Sequence, residues 1–222
     1  MAAAPTTLST FIDTMFHILT LPTGYWNSFP YNLGYYHSNG HYTFDCVNLI
    51  KVVLNGWEPY TTPGDYTSNL SRTGDCDEWG LISQCRGVSG DFTTLHNTSV
   101  LYMSGHIGCY MGEFTRGGKI YNTIECTPSY GGGVVASYVD QNGDRWDCKN
   151  GTDYGGRWEL HGLLTTWLTY DTEFVDPGDD TDPINPGGGD VNPPWWESPV
   201  LNPFNKKAKV ATWLRPHRLY YH

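Results

Sequence analysis

Lysine and arginine are missing from the start of this 222-residue chain, and Lys51 is the first of either. The N-terminus therefore lacks the basic region of a secretory signal peptide, and we expect synthesis in a cytoplasm without a standard export signal. No apolar run approaches the roughly 18 residues of a transmembrane helix, so we expect no membrane insertion. Residues 7–20 instead carry apolar side chains at helical spacing, which predicts a helix packed into a core.

Charged residues are also scarce, at 16% of the chain, and acids outnumber bases to give a formal net charge of −10. This balance argues against a nucleic-acid-binding surface, which needs clustered positive charge. Aromatic residues reach 15%, which is typical of a compact, aromatic-rich protein rather than a disordered one. The length allows one substantial core and a small additional module.

The chain has six cysteines but no C-x-x-C spacing, which argues against a structural zinc site. Without a secretion signal, reduced thiols are expected, although Cys76 and Cys85 lie in one irregular segment and a bridge between them stays open. Cys109 and Cys126 fall on predicted strands, where we interpret them as small buried hydrophobic residues.

The segment from Phe44 to Lys51 predicts a turn that enters an amphipathic helix with Cys46 in its first turn. Asp45 is a good N-cap, and the apolar side is supplied by Val47, Leu49, Ile50, Val53 and Leu54. The positive end of the helix dipole favours a thiolate over a thiol at this position.

A second segment, residues 105–112, predicts a strand in which His106 lies between glycines and can offer an imidazole to the sulfur. A cysteine followed later by a histidine is the order found in papain-like thiol hydrolases. Further strands are predicted at 99–104, 106–114, 118–126, 133–140 and near 157–170, with an Asn142-Gly143 turn before Arg145. One helix packed on an antiparallel sheet indicates an α+β architecture.

These motifs together resemble the NlpC family of bacterial cell-wall cysteine hydrolases, a papain-like group related to CHAP amidases. Phe44-Asp45-Cys46 matches the family's cysteine motif, and Gly105 to Gly112 matches its Gly-His-(Ile/Val)-Gly-x-Tyr-x-Gly motif. Ile124-Glu125-Cys126-Thr127-Pro128 is similar to a strand ending found in phage-type members, and Trp158 to Trp167 is similar to their closing motif. Pro30-Tyr31 looks like the Pro-Tyr that precedes the cysteine.

The resemblance covers roughly residues 22–170 and has two departures. Val47-Asn48 stands where the family usually has Ser-Gly, so packing at the helix start differs. Residues 60–98 form a Gly-, Asp-, Ser- and Thr-rich segment without an alignable counterpart, which leaves the shape of the substrate open.

The resemblance implies a papain-like NlpC fold, with N-terminal helices and the cysteine helix packed on an antiparallel sheet. It also implies that Cys46 is the nucleophile, His106 the acid and base, and Glu125 the residue that orients His106. Tyr31 and Asp45 are the candidates for contacting the oxyanion or the substrate, with neighbouring tyrosines as alternatives to Tyr31. This mechanism requires no metal or other cofactor.

The implied function is a peptidoglycan hydrolase, either an endopeptidase or an amidase, in the form of a phage endolysin or virion-associated tail lysin. Its partner would be bacterial peptidoglycan, reached from the host cytoplasm by release to the cell wall or from the virion tail. Two alternatives stay open: a non-catalytic structural or binding component of a phage tail, and an acyltransferase or transglutaminase-like enzyme.

The composition changes after residue 175, which divides the chain into a catalytic domain at 1–175, a linker at 176–194 and a tail at 195–222. The linker consists largely of Pro, Gly and Asp. The tail contains Trp195-Trp196 and, from Asn202 onward, lysines and arginines without an acid. It is interpreted as a wall-targeting segment, as a docking peptide for a protein such as a phage tail component, or as a segment that covers the catalytic domain.

Overall fold

The structure is a computed structural model, and it describes most of the chain before residue 170. The described residues are 6–26, 35–38, 41–57, 64–66, 70, 72–129 and 132–169, with the backbone alone described at 35–38 and 64–66. Pro30 and Tyr31, the linker at 176–194 and the tail at 195–222 lie outside these residues.

Three α-helices occur among the described residues: α1 (Leu8–Leu19), α2 (Cys46–Leu54) and α3 (Glu78–Ile82). Thr7 caps α1 by accepting a hydrogen bond from the Thr10 N–H, and Asp45 caps α2 in the same way from the Asn48 N–H. Both caps satisfy a backbone donor that has no partner inside its helix. The helix starts are therefore fixed locally.

The central element is an eight-stranded sheet whose strand pairs are all antiparallel. Its spatial order is β12-β11-β10-β9-β8-β7-β13-β6. The strands are β6 (Arg86–Ser89), β7 (Ser99–Met103), β8 (His106–Arg116), β9 (Lys119–Thr127), β10 (Gly133–Val139), β11 (Asp144–Trp146), β12 (Asp153–Arg157) and β13 (Leu160–Leu163).

Two smaller sheets accompany the central one. A four-stranded sheet has the order β2-β4-β3-β5, and a parallel pair joins β1 to β14. These strands are β1 (Thr6–Thr7), β2 (Thr23–Tyr25), β3 (Tyr35–Ser38), β4 (His41–Phe44), β5 (Gly64–Tyr66) and β14 (Leu168–Thr169). Short 3₁₀ turns lie at Phe92–Thr94 and Leu164–Thr166.

Alternate residues of β8 pack on opposite faces of the central sheet, as the pleat of a strand requires. Ile107, Cys109 and Met111 are fully buried in the core that also contains α1 and α2. A second, smaller cluster on the other face consists of Phe92, Leu101, Val139 and Trp158. The candidate histidine, His106, stacks on the indole of Trp158 from that cluster.

The predicted α+β, papain-like NlpC fold class is wrong. The described residues form a mostly β protein, in which an eight-stranded antiparallel sheet is accompanied by only three helices, two of them nine residues or shorter. The prediction underestimated the sheet because β6, β11 and β12 are short strands of three to five residues, and such strands carry little periodicity.

Several individual elements match their predictions. The helix within residues 7–20, the helix that starts at Cys46 and the strands predicted at 99–104, 106–114, 118–126 and 133–140 are all present within a few residues. The turn at Asn142-Gly143 also joins β10 to β11. The single strand predicted near 157–170 is instead divided into β13, a 3₁₀ turn and β14.

Candidate active site

Cys46 is the first residue of α2, and it lies against the start of strand β8. The backbone groups of Ile107 and Val47 lie close to its sulfur and act to lower the pKa of the thiol. The side chain is buried, at 8% exposure, and belongs to the main core. The sulfur therefore lies at the end of the sheet where β8 begins with His106.

The environment of Cys46 favours the neutral thiol. Burial and then the carboxylate of Asp45 raise the pKa of Cys46 to about 12, although the two backbone groups act in the opposite direction. The net shift is opposite to the lowering expected at a helix start. Loss of solvent around the sulfur and the negative charge of the adjacent cap outweigh the effect of the helix N-terminus.

His106 and Glu125 form a direct, buried hydrogen bond. Nε2 of the imidazole lies 2.5 Å from Oε2 of the carboxylate, and Glu125 is fully buried. Their strands bring them together because Gly108, two residues beyond His106 on the same face of β8, pairs with Glu125 on β9. The bond at Nε2 leaves Nδ1 as the ring nitrogen for proton exchange with a substrate or a thiol.

Trp158 and Gly108 form the floor beneath this pair. The imidazole stacks on the Trp158 ring with 5.4 Å between centroids and 20° between planes. A Cβ atom at Gly108 would lie 3.1 Å from Cη2 of Trp158 and 3.2 Å from Cβ of Glu125. The second glycine of the Gly-His-Ile-Gly motif thus provides the space that the indole and the carboxylate occupy.

Sequence reasoning missed two further partners of Glu125. Arg145 on β11 donates from Nη2 to Oε2 at 2.5 Å, and the hydroxyl of Ser137 on β10 donates to Oε1. Burial alone would raise the pKa of Glu125, but the hydrogen bond and charge of His106, followed by Arg145 and Ser137, lower it overall. Glu125 is therefore a carboxylate, as an orienting acid must be.

Tyr25 is the described tyrosine that is electrostatically coupled to Cys46. It ends β2 and is partly buried. Burial, followed by the charges of Cys46 and Asp45, raises the pKa of Tyr25 to about 12, so its hydroxyl stays protonated and can donate a hydrogen bond. Tyr31, which was predicted for this role, lies outside the described residues, and Tyr42 packs edge-on against Trp57 in the core.

Asp45 acts mainly on its own helix. Oδ1 accepts from the Asn48 N–H at 2.6 Å, and Oδ2 accepts from the Asn48 side-chain amide at 2.8 Å. Burial raises the pKa of Asp45 despite these bonds. Asn48, at the position where the family usually has Gly, therefore holds both carboxylate oxygens in place, and contact between Asp45 and a substrate stays a prediction.

The structure thus joins two of the three predicted catalytic side chains directly, His106 and Glu125, and places the third at the start of helix α2. Cys46 lies near the backbone of Ile107, the residue that follows His106. Within the described residues, no hydrogen bond joins the thiol to the imidazole. Catalytic hydrogen bonds of this kind often tighten only when substrate is bound. A thiol, an imidazole and a buried carboxylate thus lie on α2, β8 and β9, and their catalytic roles stay a prediction.

A second buried histidine, His161 on β13, has its hydrogen-bond partner away from Cys46 and Glu125. Its Nε2 lies 2.9 Å from the carbonyl oxygen of Asp91, and burial lowers the pKa of the ring. All six cysteines are free thiols, Cys76 and Cys85 included, and Cys109 and Cys126 are fully buried as predicted. Within the described ranges, no group of three or more His, Cys, Asp or Glu side chains could hold a metal ion.

Comparisons of the whole chain with protein-family models, with curated proteins and with solved structures give no match. The resemblance to the NlpC family therefore stands on the motifs at Cys46, His106, Glu125 and Trp158. In the part of the chain that the structure describes, none of the helices has the length and apolar character needed to cross a membrane.

Proposed function

We propose that this protein is a cysteine hydrolase that cleaves amide bonds of bacterial peptidoglycan. The observation that carries the proposal is the buried hydrogen bond between His106 and Glu125, at the end of the sheet where Cys46 lies near the backbone of Ile107. A base oriented by a carboxylate and adjacent to a helix-start cysteine is the arrangement that nucleophilic thiol catalysis needs.

The raised pKa of Cys46 sets the order of the proposed steps. The thiol is protonated at rest, so Nδ1 of His106 takes its proton as the sulfur attacks the substrate carbonyl carbon. The resulting imidazolium, stabilised by Glu125, then gives the proton to the departing amine, and the C–N bond breaks. Water, deprotonated by the same imidazole, attacks the thioester and releases the acid together with the free thiol.

The hydroxyl of Tyr25 is proposed to donate a hydrogen bond to the tetrahedral oxyanion, together with backbone N–H groups at the start of α2. Its electrostatic interactions with Cys46 and Asp45 support this role, because both residues lie at the start of α2. Tyr25 is one of the neighbouring tyrosines that stayed open as alternatives to Tyr31, which lies outside the described residues.

The substrate class follows from the motif resemblance, whose phage-type strand ending and closing motif indicate an endolysin or tail lysin. Cleavage of a stem peptide, a cross-bridge or the glycan–peptide link would use the same three side chains. In this proposal the protein is made in a host cytoplasm and reaches peptidoglycan from inside the cell or from a virion tail. The basic tail at 195–222 would dock it to a partner or to the wall.

Zymography tests this function directly. The wild-type protein is expected to clear a gel that contains peptidoglycan, whereas Cys46→Ala and His106→Ala should leave no band. Cys109→Ala serves as a matched control. It removes a buried free thiol that lies on the same strand as His106 but has no role in the proposed mechanism, so the band should remain. Clearing by Cys46→Ala would contradict the thiol mechanism.

The surroundings of Cys46 favour a second candidate function. The thiol is buried, its environment strongly disfavours ionisation, and it has no hydrogen bond to His106 within the described residues. This would suit a non-catalytic binding or structural component, for example of a phage tail. Such a protein would co-sediment with insoluble peptidoglycan equally well as wild type and as Cys46→Ala, and neither would release fragments from it.

A further inference from the structure

The buried guanidinium of Arg145 shares one carboxylate oxygen with the candidate base. Nη2 of Arg145 and Nε2 of His106 each lie 2.5 Å from Oε2 of Glu125. The three side chains come from strands β11, β8 and β9, which are not all neighbours in the sheet. Arg145 is only 6% exposed, so its charge is held close to Glu125 with little solvent to screen it.

Several contacts fix the guanidinium in this position. It lies 5.1 Å from the ring centroids of both Tyr154 and Trp158, and Nη1 donates to the carbonyl oxygen of Gly155 at 3.1 Å. The same Trp158 ring stacks on His106. One indole therefore positions the cation and the imidazole, while one oxygen receives a hydrogen bond from each.

We infer that Arg145 is a positioning residue, which holds Glu125 in a single orientation and keeps His106 able to accept the Cys46 proton by drawing part of the carboxylate's charge to itself. This inference rests on the proposed function. A carboxylate shared with a guanidinium stabilises an imidazolium less than an unshared one, because the second cation repels the positive ring.

Titratable groups near this pair lie on strands β9, β11 and β12. On the face of the sheet that carries the pair these are Arg145 and Tyr154, the latter through its contact with the guanidinium. From the opposite face, Cys126 is coupled electrostatically to Glu125 and to Cys46. Arg145 is the cation that bonds directly to the carboxylate, so it has the largest expected effect on the ring.

NMR titration of isotope-labelled histidine rings tests the inference without requiring turnover. The His106 signal is assigned by its loss in His106→Ala. In Arg145→Gln the midpoint of its titration should move to higher pH by about one pH unit, because a nearby positive charge is removed. In Glu125→Gln it should move to lower pH. Arg145→Lys, which keeps the charge, should return the midpoint toward the wild-type value.

Arg157→Gln is the matched control, because Arg157 is a largely exposed arginine on the adjacent strand β12 and should leave the His106 midpoint unchanged. A midpoint in Arg145→Gln equal to that of wild type would overturn the inference. If Arg145→Gln does not fold, the double variant Glu125→Gln/Arg145→Gln is compared with Glu125→Gln. The midpoint should be higher in the double variant, and equal midpoints would overturn the inference.

The titration also separates this inference from the proposed function. A shifted midpoint in a protein that cleaves no peptidoglycan would leave the effect of Arg145 on His106 standing and reject the enzyme. Cleavage of peptidoglycan with an unshifted midpoint would reject only the role of Arg145. In the active protein, Arg145→Gln should in addition move the acid limb of the kcat profile to higher pH, because neutral His106 is the required base.

Discussion

Nε2 of His106 lies 2.5 Å from Oε2 of Glu125, a carboxylate with no exposed surface. This distance fixes which nitrogen of the ring is engaged and leaves Nδ1 for chemistry. Ser137 and Arg145 complete the hydrogen bonding of the carboxylate, so the buried charge is compensated on both oxygens. In the proposed mechanism this pair is the base, and the Cys46 thiol is ionised during the reaction rather than before it.

Replacing Glu125 by glutamine should lower kcat by roughly ten- to a thousandfold, because the imidazolium loses its counter-charge while the side-chain shape is kept. Steady-state hydrolysis of soluble muropeptides measures the effect, and circular dichroism establishes that the variant is folded. His106→Ala should be as damaging as removal of the thiol. Near-normal turnover in Glu125→Gln would mean that another group orients the ring.

The raised pKa of Cys46 predicts slow alkylation at neutral pH. Only the thiolate reacts with iodoacetamide, so the rate at Cys46 should rise about tenfold per pH unit from pH 7 to 10 without reaching a plateau. Peptide mapping by mass spectrometry distinguishes Cys46 from the other five cysteines. A plateau near pH 7 would show a stable thiolate and contradict the account of the resting state.

The Asp45→Asn variant tests how the charge of Asp45 affects the alkylation rate of Cys46. Asparagine caps a helix as well as aspartate does, but it removes the carboxylate that disfavours the thiolate. The pKa of Cys46 should therefore fall, and alkylation at pH 8 should become severalfold faster. Burial, the larger cause of the shift, remains, so the reaction should still lack a plateau below pH 9. A slower reaction in Asp45→Asn would reverse the assigned sign of the charge effect.

The parts of the fold that were predictable depend on local pattern. The cap at Asp45 and the alternation along β8 and β9 are visible within a few residues of sequence, and the structure has these elements. The short strand β6 was missed because its pairing with β13 joins segments far apart in the chain. The extent of the sheet, and hence the fold class, depended on such long-range pairs.

The residues of the candidate site were likewise predictable only where a local motif marked them. His106 and Glu125 could be named from motifs, whereas Arg145 and Ser137 carry no local signal that links them to Glu125. A polar residue in the otherwise apolar strand β10 was a weak indication that Ser137 has a buried polar partner. The ionisation of Cys46 was predicted with the wrong sign, because burial is a property of the folded chain rather than of a helix start.

Gly108→Ala should disturb the site through packing alone. Its Cβ would lie 3.1 Å from Trp158 and 3.2 Å from Glu125, so both side chains must shift. We expect a loss of about 1–3 kcal/mol in the free energy of unfolding and a large loss of activity. Urea denaturation and muropeptide hydrolysis measure the two effects.

Gly117→Ala is the control for this substitution. It lies in the turn between β8 and β9, at the far end of β8 from His106, where an added Cβ meets nothing within 4 Å and only the positive φ of 58° is strained. It should cost about 1 kcal/mol and leave activity unchanged. Full activity in Gly108→Ala would show that the floor beneath Glu125 is not needed.

Arg72 is expected to anchor the long segment that follows α2. It donates to Oγ1 of Thr6 at 2.6 Å, to the carbonyl of Leu54 at 2.5 Å and to the carbonyl of Trp167. Lysine cannot reproduce this fork, so Arg72→Lys should lower the free energy of unfolding by about 2 kcal/mol. Arg157→Lys, at a largely exposed position, should cause little change in the same urea titration. Equal stabilities of the two variants would remove this role for Arg72.

Mass spectrometry of the fragments released from purified peptidoglycan by wild type and by Cys46→Ala is the most direct test of amide-bond hydrolysis through Cys46. We expect wild type to release fragments with a newly formed amine and carboxylate at a single type of amide bond. We also expect that Cys46→Ala, folded by circular dichroism, releases none. Equal release by both proteins, or no release by wild type from any peptidoglycan type, would contradict hydrolysis through Cys46.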